Sequence, residues 1–236
     1  MLADIVGYTR FMRLHRMNLA HSQDITGRLL EAMVDAVPSL ELVEIEGDAV
    51  FLYAPQVTAD EVATAASLEF ALAMHQAFHT RQQWMIARNM CVCDACRQIE
   101  RLRVKFVAHV GEVATQTIRT RTKLVGVDVI AAHRMLKNSV PVPEHFLMSE
   151  SIYEACDPGL RERAVRIDQE LEGLGTMKAY FVDLDGIALE PAPTPNPTFA
   201  ARLGETLGVI GRCSPRVAGI RKLRAPDRAA AEQSTT

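Results

Sequence analysis

Two apolar runs flank a Gly-Asp pair early in the chain, and this hairpin constrains the fold more than any other feature. Leu40 to Ile45 and Ala49 to Tyr53 read as strands around Glu46-Gly47-Asp48. So short a link admits only a tight turn, which makes the two strands antiparallel neighbours. Pro38 ends the helix before them, and Pro55 stops the second strand. Phe11, Leu14, Met17, Ile25, Leu29 and Met33 fall near a 3.6-residue period and predict that helix from about Phe11 to Val37.

The rest of the chain alternates in the same way. Thr58-Ala59-Asp60-Glu61 reads as a capping box for a second helix reaching about Thr80, with Val62, Ala66, Phe70, Met74 and Phe78 on its apolar face. Val104, Phe106, Ala108 and Val110 alternate in a strand that stops at Gly111. Thr115 to Lys123 reads as a loop or the far arm of a hairpin. Val127 to Lys137 is a compact helix and His145 to Met148 a short strand. Ser149 caps a helix over Ile152 to Ala155, and Met177 to Leu184 is a closing strand. This order predicts an α+β fold, a ferredoxin-like sandwich with a mostly antiparallel sheet and helices packed against it.

Residues 1–186 are expected to form that domain, with a Cys-rich loop near residues 88–100. Glu190 to Pro197 carries proline at alternate positions and reads as a stiff linker. Phe199 to Ile210 reads as a short amphipathic helix. Arg212, Arg216, Arg221, Lys222, Arg224 and Arg228 make the end basic. Residues 187–236 are therefore expected to be a Pro-rich linker and a flexible basic tail, with peripheral contact to an acidic partner or lipid surface as the other reading.

At 236 residues and 48% hydrophobic, the chain can bury one good core. A net charge of -3 and a pI near 6.2 give no reason to expect nucleic-acid binding. No apolar run is long enough to predict a membrane span, and the start lacks a secretory signal, which points to the cytoplasm. Asp4 stands only three residues in, so the first strand reads as clipped or unusually short.

Two sets of residues carry chemistry. Asp4 ends a short apolar run before Gly7-Tyr8-Thr9, and Asp48 sits in the hairpin turn. Carboxylates at neighbouring strand ends can hold Mg²⁺ or Mn²⁺ beside a phosphate, although Gly-Asp in a hairpin also reads as an ordinary turn. Cys91-Val92-Cys93-Asp94-Ala95-Cys96 holds three of the five cysteines. An odd count argues against a disulfide framework. Zn²⁺ with His75 or His79 as fourth ligand, a redox or Fe–S role, and unliganded thiols all remain open. His109 reads as a core or interface histidine, and Glu46 as a solvated hairpin charge.

Four segments, in order, resemble the class III nucleotide cyclase catalytic domain. Ala3-Asp4-Ile5-Val6-Gly7-Tyr8-Thr9-Arg10-Phe11 resembles its first metal motif, and Glu44-Ile45-Glu46-Gly47-Asp48 its second. Ala108 to Val113 resembles the strand before its dimerisation hairpin, and Gly126 to Arg134 the helix that bears its catalytic arginine. With Cys-x-Cys-x-x-Cys and His133-Arg134-Met135-Leu136-Lys137-Asn138, the wording is similar to DUF2652, a cyclase-like branch of bacterial proteins.

The resemblance implies adenylyl or guanylyl cyclase chemistry on a purine nucleoside triphosphate. Two Mg²⁺ or Mn²⁺ ions on Asp4 and Asp48 would activate the ribose 3′-hydroxyl against the α-phosphate, expelling pyrophosphate. The implied unit is a head-to-tail homodimer, one subunit supplying the aspartates and the other the base-reading residues and Arg134. Glu44 and Lys123 fall at the base-reading positions and Ile130 at that of the transition-state asparagine. Glu44 matches the guanylyl pattern but Lys123 does not, and the two are charged to pair across the dimer. An apolar Ile130 cannot orient the ribose, a loss of about 10²–10³ in rate by analogy with a lost oxyanion donor. His133 and Asn138 are nearby polar groups, and Lys178 falls where a lysine touches triphosphate. The other readings are an inactive nucleotide- or metal-binding regulatory dimer and a zinc- or redox-responsive regulator on the same scaffold.

Overall fold

A computed structural model describes residues 1–14, 19–54, 66–185, 187, 191–193 and 196–217. The first half runs β1 (Leu2–Val6), α1 (Tyr8–Leu14), α2 (Leu19–Asp35), β2 (Glu41–Glu46), β3 (Ala49–Tyr53), α3 (Ala66–Arg88), α4 (Asp94–Gln98) and β4 (Arg103–Ala108). The second half runs β5 (Ala114–Ile118), β6 (Arg121–Val125), α5 (Val127–Met135), β7 (His145–Ser149), α6 (Glu150–Ala155), α7 (Pro158–Arg163), β8 (Val165–Leu171), β9 (Gly175–Asp183) and α8 (Phe199–Val217). Seven strands form one sheet in the order β2-β3-β1-β4-β7-β9-β8, and β5-β6 is a separate hairpin. Among the described strands of this sheet only the β4–β7 pair is parallel. The predicted α+β sandwich with a mostly antiparallel sheet is the observed architecture.

Strand alternation decides which side chains meet which layer. Ala3, Ile5, Val50, Leu52, Val104, Phe106, Phe146 and Met148 face Phe11, Ile25, Leu29, Met33, Met74 and Phe78. Leu2, Phe51, Val107, Leu147, Ala179 and Phe181 face the opposite way, against Ala131, Ala132 and Met135 of α5. Each fully buried large apolar side chain here contributes about 1.5–3 kcal/mol. Asp4 shares the register parity of Leu2. It therefore stands on the α5 face, in the middle of β1, where the pairing with β3 ends.

Several boundaries differ from the sequence reading. The first helix is two, α1 and α2, with residues 15–18 outside the described set. The second helix continues to Arg88, past Thr80, and its predicted capping box lies outside the described residues. Thr115 to Lys123 belongs to the β5–β6 hairpin. Neither α7 nor β8 was anticipated. β8 is an edge strand whose Val165-Arg166-Ile167-Asp168 start is half-solvated, so its polar content hid it.

The C-terminal segment also differs from a flexible tail over residues 199–217. α8 lies along α2 and α3 through polar contacts. Arg212 Nε stands 2.9 Å from Asp24 Oδ1, and Glu205 Oε1 accepts from Arg28 Nη1 at 2.7 Å. Arg202 Nε donates to the Ala87 carbonyl at 3.0 Å. Charged residues that read as solvated are thus its docking face, while Phe199, Leu203, Leu207 and Ile210 are exposed. The remaining basic positions from Arg221 onward lie outside the described residues. Among the described helices, none is long and apolar enough to cross a membrane.

Candidate functional site

The β1–β3 register brings the two aspartates together. Asp4 pairs with Ala49, the residue after Asp48, and Ile5 N–H donates to the Asp48 carbonyl at 3.1 Å. Gly47 occupies the first turn position with φ 68°, a conformation that favours glycine. Gly7, at φ 91°, turns the chain from β1 into α1, where its carbonyl accepts from Phe11 N–H at 2.9 Å. Burial and then the charge of Asp4 push the Asp48 carboxyl up from 3.8 to about 6, against its own backbone hydrogen bond and Lys105. Burial and the charge of Asp48 also push up the neighbouring Tyr8 phenol.

Lys105 was not singled out from the sequence. It stands opposite Asp4 in the β1–β4 register, with Nζ 3.2 Å from Asp4 Oδ2 and 2.9 Å from the Leu136 carbonyl it donates to. Its signal was a lysine on the inward parity of an apolar strand, the parity of Val107. Two carboxylates share this one ammonium, so the pair keeps excess negative charge at neutral pH. Hard oxygen donors with that charge fit Mg²⁺ or Mn²⁺.

The residues matched to the substrate side lie on β2, β6 and α5. Lys123 Nζ donates to both Glu44 oxygens at 2.9 Å within the chain. The β5–β6 hairpin carries Lys123 to the edge strand β2, where a register shift between Leu42 and Glu44 breaks the regular pairing. Arg134 lies against Gly173 in the β8–β9 turn, where an added Cβ would stand 3.3 Å from Nη1. No ion pair joins Arg134 to Asp4 or Asp48 among the described residues. Ile130 is 45% exposed on the same helix.

The neighbouring polar groups have structural partners. Asn138 donates to the Met135 carbonyl at 3.0 Å and accepts from Val140 N–H at 3.2 Å, which ends α5. His133 Nδ1 lies 3.5 Å from Glu46 Oε2, and its ring meets Phe51 edge-on. Glu46 therefore turns toward His133. His109 Nε2 bonds Asp128 Oδ1 at 2.8 Å, and Glu112 N–H donates to Asp128 Oδ2 at 2.8 Å, tying β4 to α5. The His109 bond, against a smaller effect of burial, holds the Asp128 carboxyl below its usual range. Lys178 pairs with Glu150 on the surface at 3.1 Å.

The cysteine motif gathers a histidine that sequence spacing did not indicate. Cys93 Sγ lies 3.4 Å from His21 Nδ1, and Cys96 Sγ lies 3.3 Å from His21 Nε2. Cys91 completes a group of four whose ligating atoms lie within 4.8 Å of one another. Burial pushes the Cys93 and Cys96 thiols up.

His75 and His79 are not the fourth ligand. His79 Nε2 meets Glu144 Oε1 at 2.8 Å, and His75 Nε2 stands 3.5 Å from Glu144 Oε2. Val104 N–H donates to the same carboxylate at 3.1 Å. Burial alone would raise Glu144, but the two imidazoles and this amide outweigh it and hold the carboxyl at about 2, below its ordinary 4.5. The reason for the correction is helix length. At about 1.5 Å per residue, continuing α3 from His79 to Arg88 carries the cysteine loop roughly 14 Å beyond that histidine.

Known proteins resemble the chain at two levels. Residues 26–145, just over half of it, match DUF2652, described as a protein of unknown function. It is 34% identical over 195 residues to the uncharacterized protein Rv2561/Rv2562 of Mycobacterium tuberculosis, covering 83% of this chain and 90% of that one. The guanylyl cyclase Cya2 superposes with a TM-score of 0.56 at 15% identity, covering 81% of this chain and 94% of that one. A class III adenylyl cyclase-like ATP-binding protein from Pseudomonas aeruginosa superposes with a TM-score of 0.51 at 16% identity, covering 69% and 35%. A bacterial light-regulated adenylyl cyclase gives 0.51 at 12% identity, covering 90% and 56%. Identities this low speak for the fold alone. A matching family over half the chain, a relative along most of it and a shared architecture lead to one statement: the chain belongs to the DUF2652 family and has the fold of the class III nucleotide cyclase catalytic domain.

Proposed function

We propose that the protein is a divergent class III nucleotide cyclase acting as a head-to-tail homodimer on a purine nucleoside triphosphate. One observation carries this reading. Asp4, in the middle of β1, and Asp48, in the turn before β3, lie closely enough for their repulsion to help raise Asp48 to about 6. Two Mg²⁺ or Mn²⁺ ions there would supply charge neutralisation at the α-phosphate during in-line attack by the ribose 3′-hydroxyl. Asp4 and Asp48 would hold the phosphate end. Glu44 and Lys123 border the base, and Arg134 offers a cation to the charge that develops in the transition state.

Arg134 makes no ion pair with either aspartate among the described residues, which is compatible with a site shared between protomers. The exposed apolar side chains of Ile45, Ile118, Val127 and Ile130, each 45–64% exposed, offer the surface that such a dimer would cover.

Nucleotide or metal sensing without turnover is the second reading. The Lys105–Asp4 ion pair competes with a cation for one carboxylate, and Ile130 offers the ribose no hydrogen bond. One protein with this fold is itself described as ATP-binding. Incubation of purified protein with Mn²⁺ or Mg²⁺ and ATP or GTP, followed by assay for cyclic nucleotide, separates these readings. Product that disappears in the Asp4→Ala, Asp48→Ala double variant supports the enzyme. Saturable Mn²⁺-dependent nucleotide binding with no product selects the sensor. Product that survives the double substitution rejects the aspartate site.

A further inference from the structure

The Cys-x-Cys-x-x-Cys loop belongs to neither the aspartate pair nor the base-reading edge. It leaves the end of α3 and enters α4, and Cys96 is buried there beside Ala95. His21 comes from the start of α2, far away in sequence. Three sulfurs and an imidazole from four positions converge, and thiol and imidazole donors of this kind suit Zn²⁺ rather than Mg²⁺.

The distances decide between a chance neighbourhood and a ligand set. A tetrahedral zinc with Zn–S of about 2.3 Å and Zn–N of about 2.0 Å places sulfur and nitrogen ligands about 3.5 Å apart and sulfurs about 3.8 Å apart. With His21 Nδ1 as the ligating nitrogen, the sulfur–nitrogen separations are 3.4 Å for Cys93 and 3.8 Å for Cys96. All four ligating atoms lie within 4.8 Å of one another, so a contraction of about 1 Å completes the tetrahedron. The set is closed, with no position left for a substrate, as in structural zinc sites. The second buried group, His75–His79–Glu144, is a weaker candidate because its carboxylate already accepts from Val104 N–H and contacts both imidazoles.

We propose that His21, Cys91, Cys93 and Cys96 form a Cys₃His zinc site that clamps the start of α2 to the loop before β4. The position gives the clamp a consequence. α4 rests on α1, the helix that follows Gly7 and the Asp4 strand. A 3₁₀ turn then places Ile99 in the core and leads into β4, which carries Lys105. Glu205 and Val209 of α8 border the same hollow beside His21 and Cys96, so the clamp also underlies the docked C-terminal helix. Zinc at this site holds the helical layer beneath the aspartates without touching them.

The test is metal analysis of the full chain purified after growth with added zinc. About one zinc per chain is expected, as for a closed four-ligand site. It falls to background in Cys93→Ser and Cys96→Ser. His21→Ala is expected to release zinc to a chromophoric chelator at least ~10-fold faster than wild type, while His75→Ala and His79→Ala leave the content unchanged. Because cysteine variants can fail to fold, wild-type protein stripped by a chelator under reductant is also titrated with Co²⁺. A thiolate-to-cobalt charge-transfer band with tetrahedral d–d bands supports the site. Three results overturn it: folded wild type with neither zinc nor a thiolate–cobalt band, zinc that follows His75 instead of Cys93, or iron in place of zinc. None of these readouts involves nucleotide, so failure of the cyclase reading leaves the test intact.

Discussion

The aspartate pair and the Cys/His cluster suit two different kinds of metal ion, and the contrast shows how one fold separates exchange from anchorage. Asp4 and Asp48 come from strands already paired through β1 and β3, offer hard oxygens and remain partly open to water. Such a site favours ions that arrive and leave with a phosphate. His21, Cys91, Cys93 and Cys96 come from separate helices and a loop, offer sulfur and imidazole, and surround the position on all sides. A metal held there would act as a cross-link. On the proposed reading the first arrangement serves chemistry because its charges are poorly balanced. The second would stabilise the fold by joining its ligands.

The largest effect should fall on turnover. Asp4→Ala with Asp48→Ala is expected to lower cyclic-nucleotide formation by ~10³-fold or more while leaving zinc content unchanged. Loss of zinc in the same variant would break the separation between the sites. Ile130→Asn returns a polar group to the ribose position and is expected to raise turnover by about 10²-fold. An unchanged rate would mean that this position does not face the substrate.

Removing zinc should act on stability instead. At a zinc concentration near 1,000 times its Kd, the bound state gains about 4 kcal/mol, so chelation should lower Tm by about 10 °C. Magnesium removal should leave the melting curve in place, and a curve that ignores zinc would count against the clamp.

The pH dependence sharpens the contrast with opposite signs. Asp48 is raised from 3.8 to about 6, so in metal-free protein its stabilising share is fully present below about pH 3.8 and is lost as pH rises through 6. After discounting for solvent screening of a half-exposed group, Asp48→Asn should stabilise the metal-free protein at pH 8 by about 1 kcal/mol. Glu144, held at about 2 against 4.5, contributes above about pH 4.5 and loses that contribution as pH falls toward 2. Melting curves from pH 3 to 8 should therefore diverge from wild type at the high-pH end with opposite signs, Asp48→Asn above it and Glu144→Gln below it, and both should approach it as pH falls. The smallest effect belongs to the exposed Glu44–Lys123 pair. Glu44→Gln should change stability by under about 1 kcal/mol while altering the preference between ATP and GTP in a binding assay.

What was legible from the chain followed local rules. The period of two in Val104, Phe106 and Ala108 marked an inner strand, and the short Gly47-Asp48 link made a tight turn. The spacing of Ile25, Leu29 and Met33 marked the helix face that covers the sheet. The less legible parts depended on long separations or on solvated residues. β8 hid its core-facing Gln169 and Leu171 among charges, and α8 docks through Arg202, Glu205 and Arg212, which resemble an exposed face. Lys105 was missed in the sequence, and its pairing with Asp4 emerged only from register.

The metal-type residues divide along the same line. Donor identity was written in the chain: two aspartates beside apolar runs and three cysteines within one short loop. Hydrophobic alternation and the hairpin sufficed to seat Asp48, because strand pairing is local there. Only the tertiary structure chose His21 over His75 and His79, since that choice depends on how far α3 continues and where α2 crosses it. It also brought Lys123 against Glu44, 79 residues away in sequence. Side-chain contacts between distant segments follow from packing of whole layers, and no spacing rule along the backbone encodes that geometry.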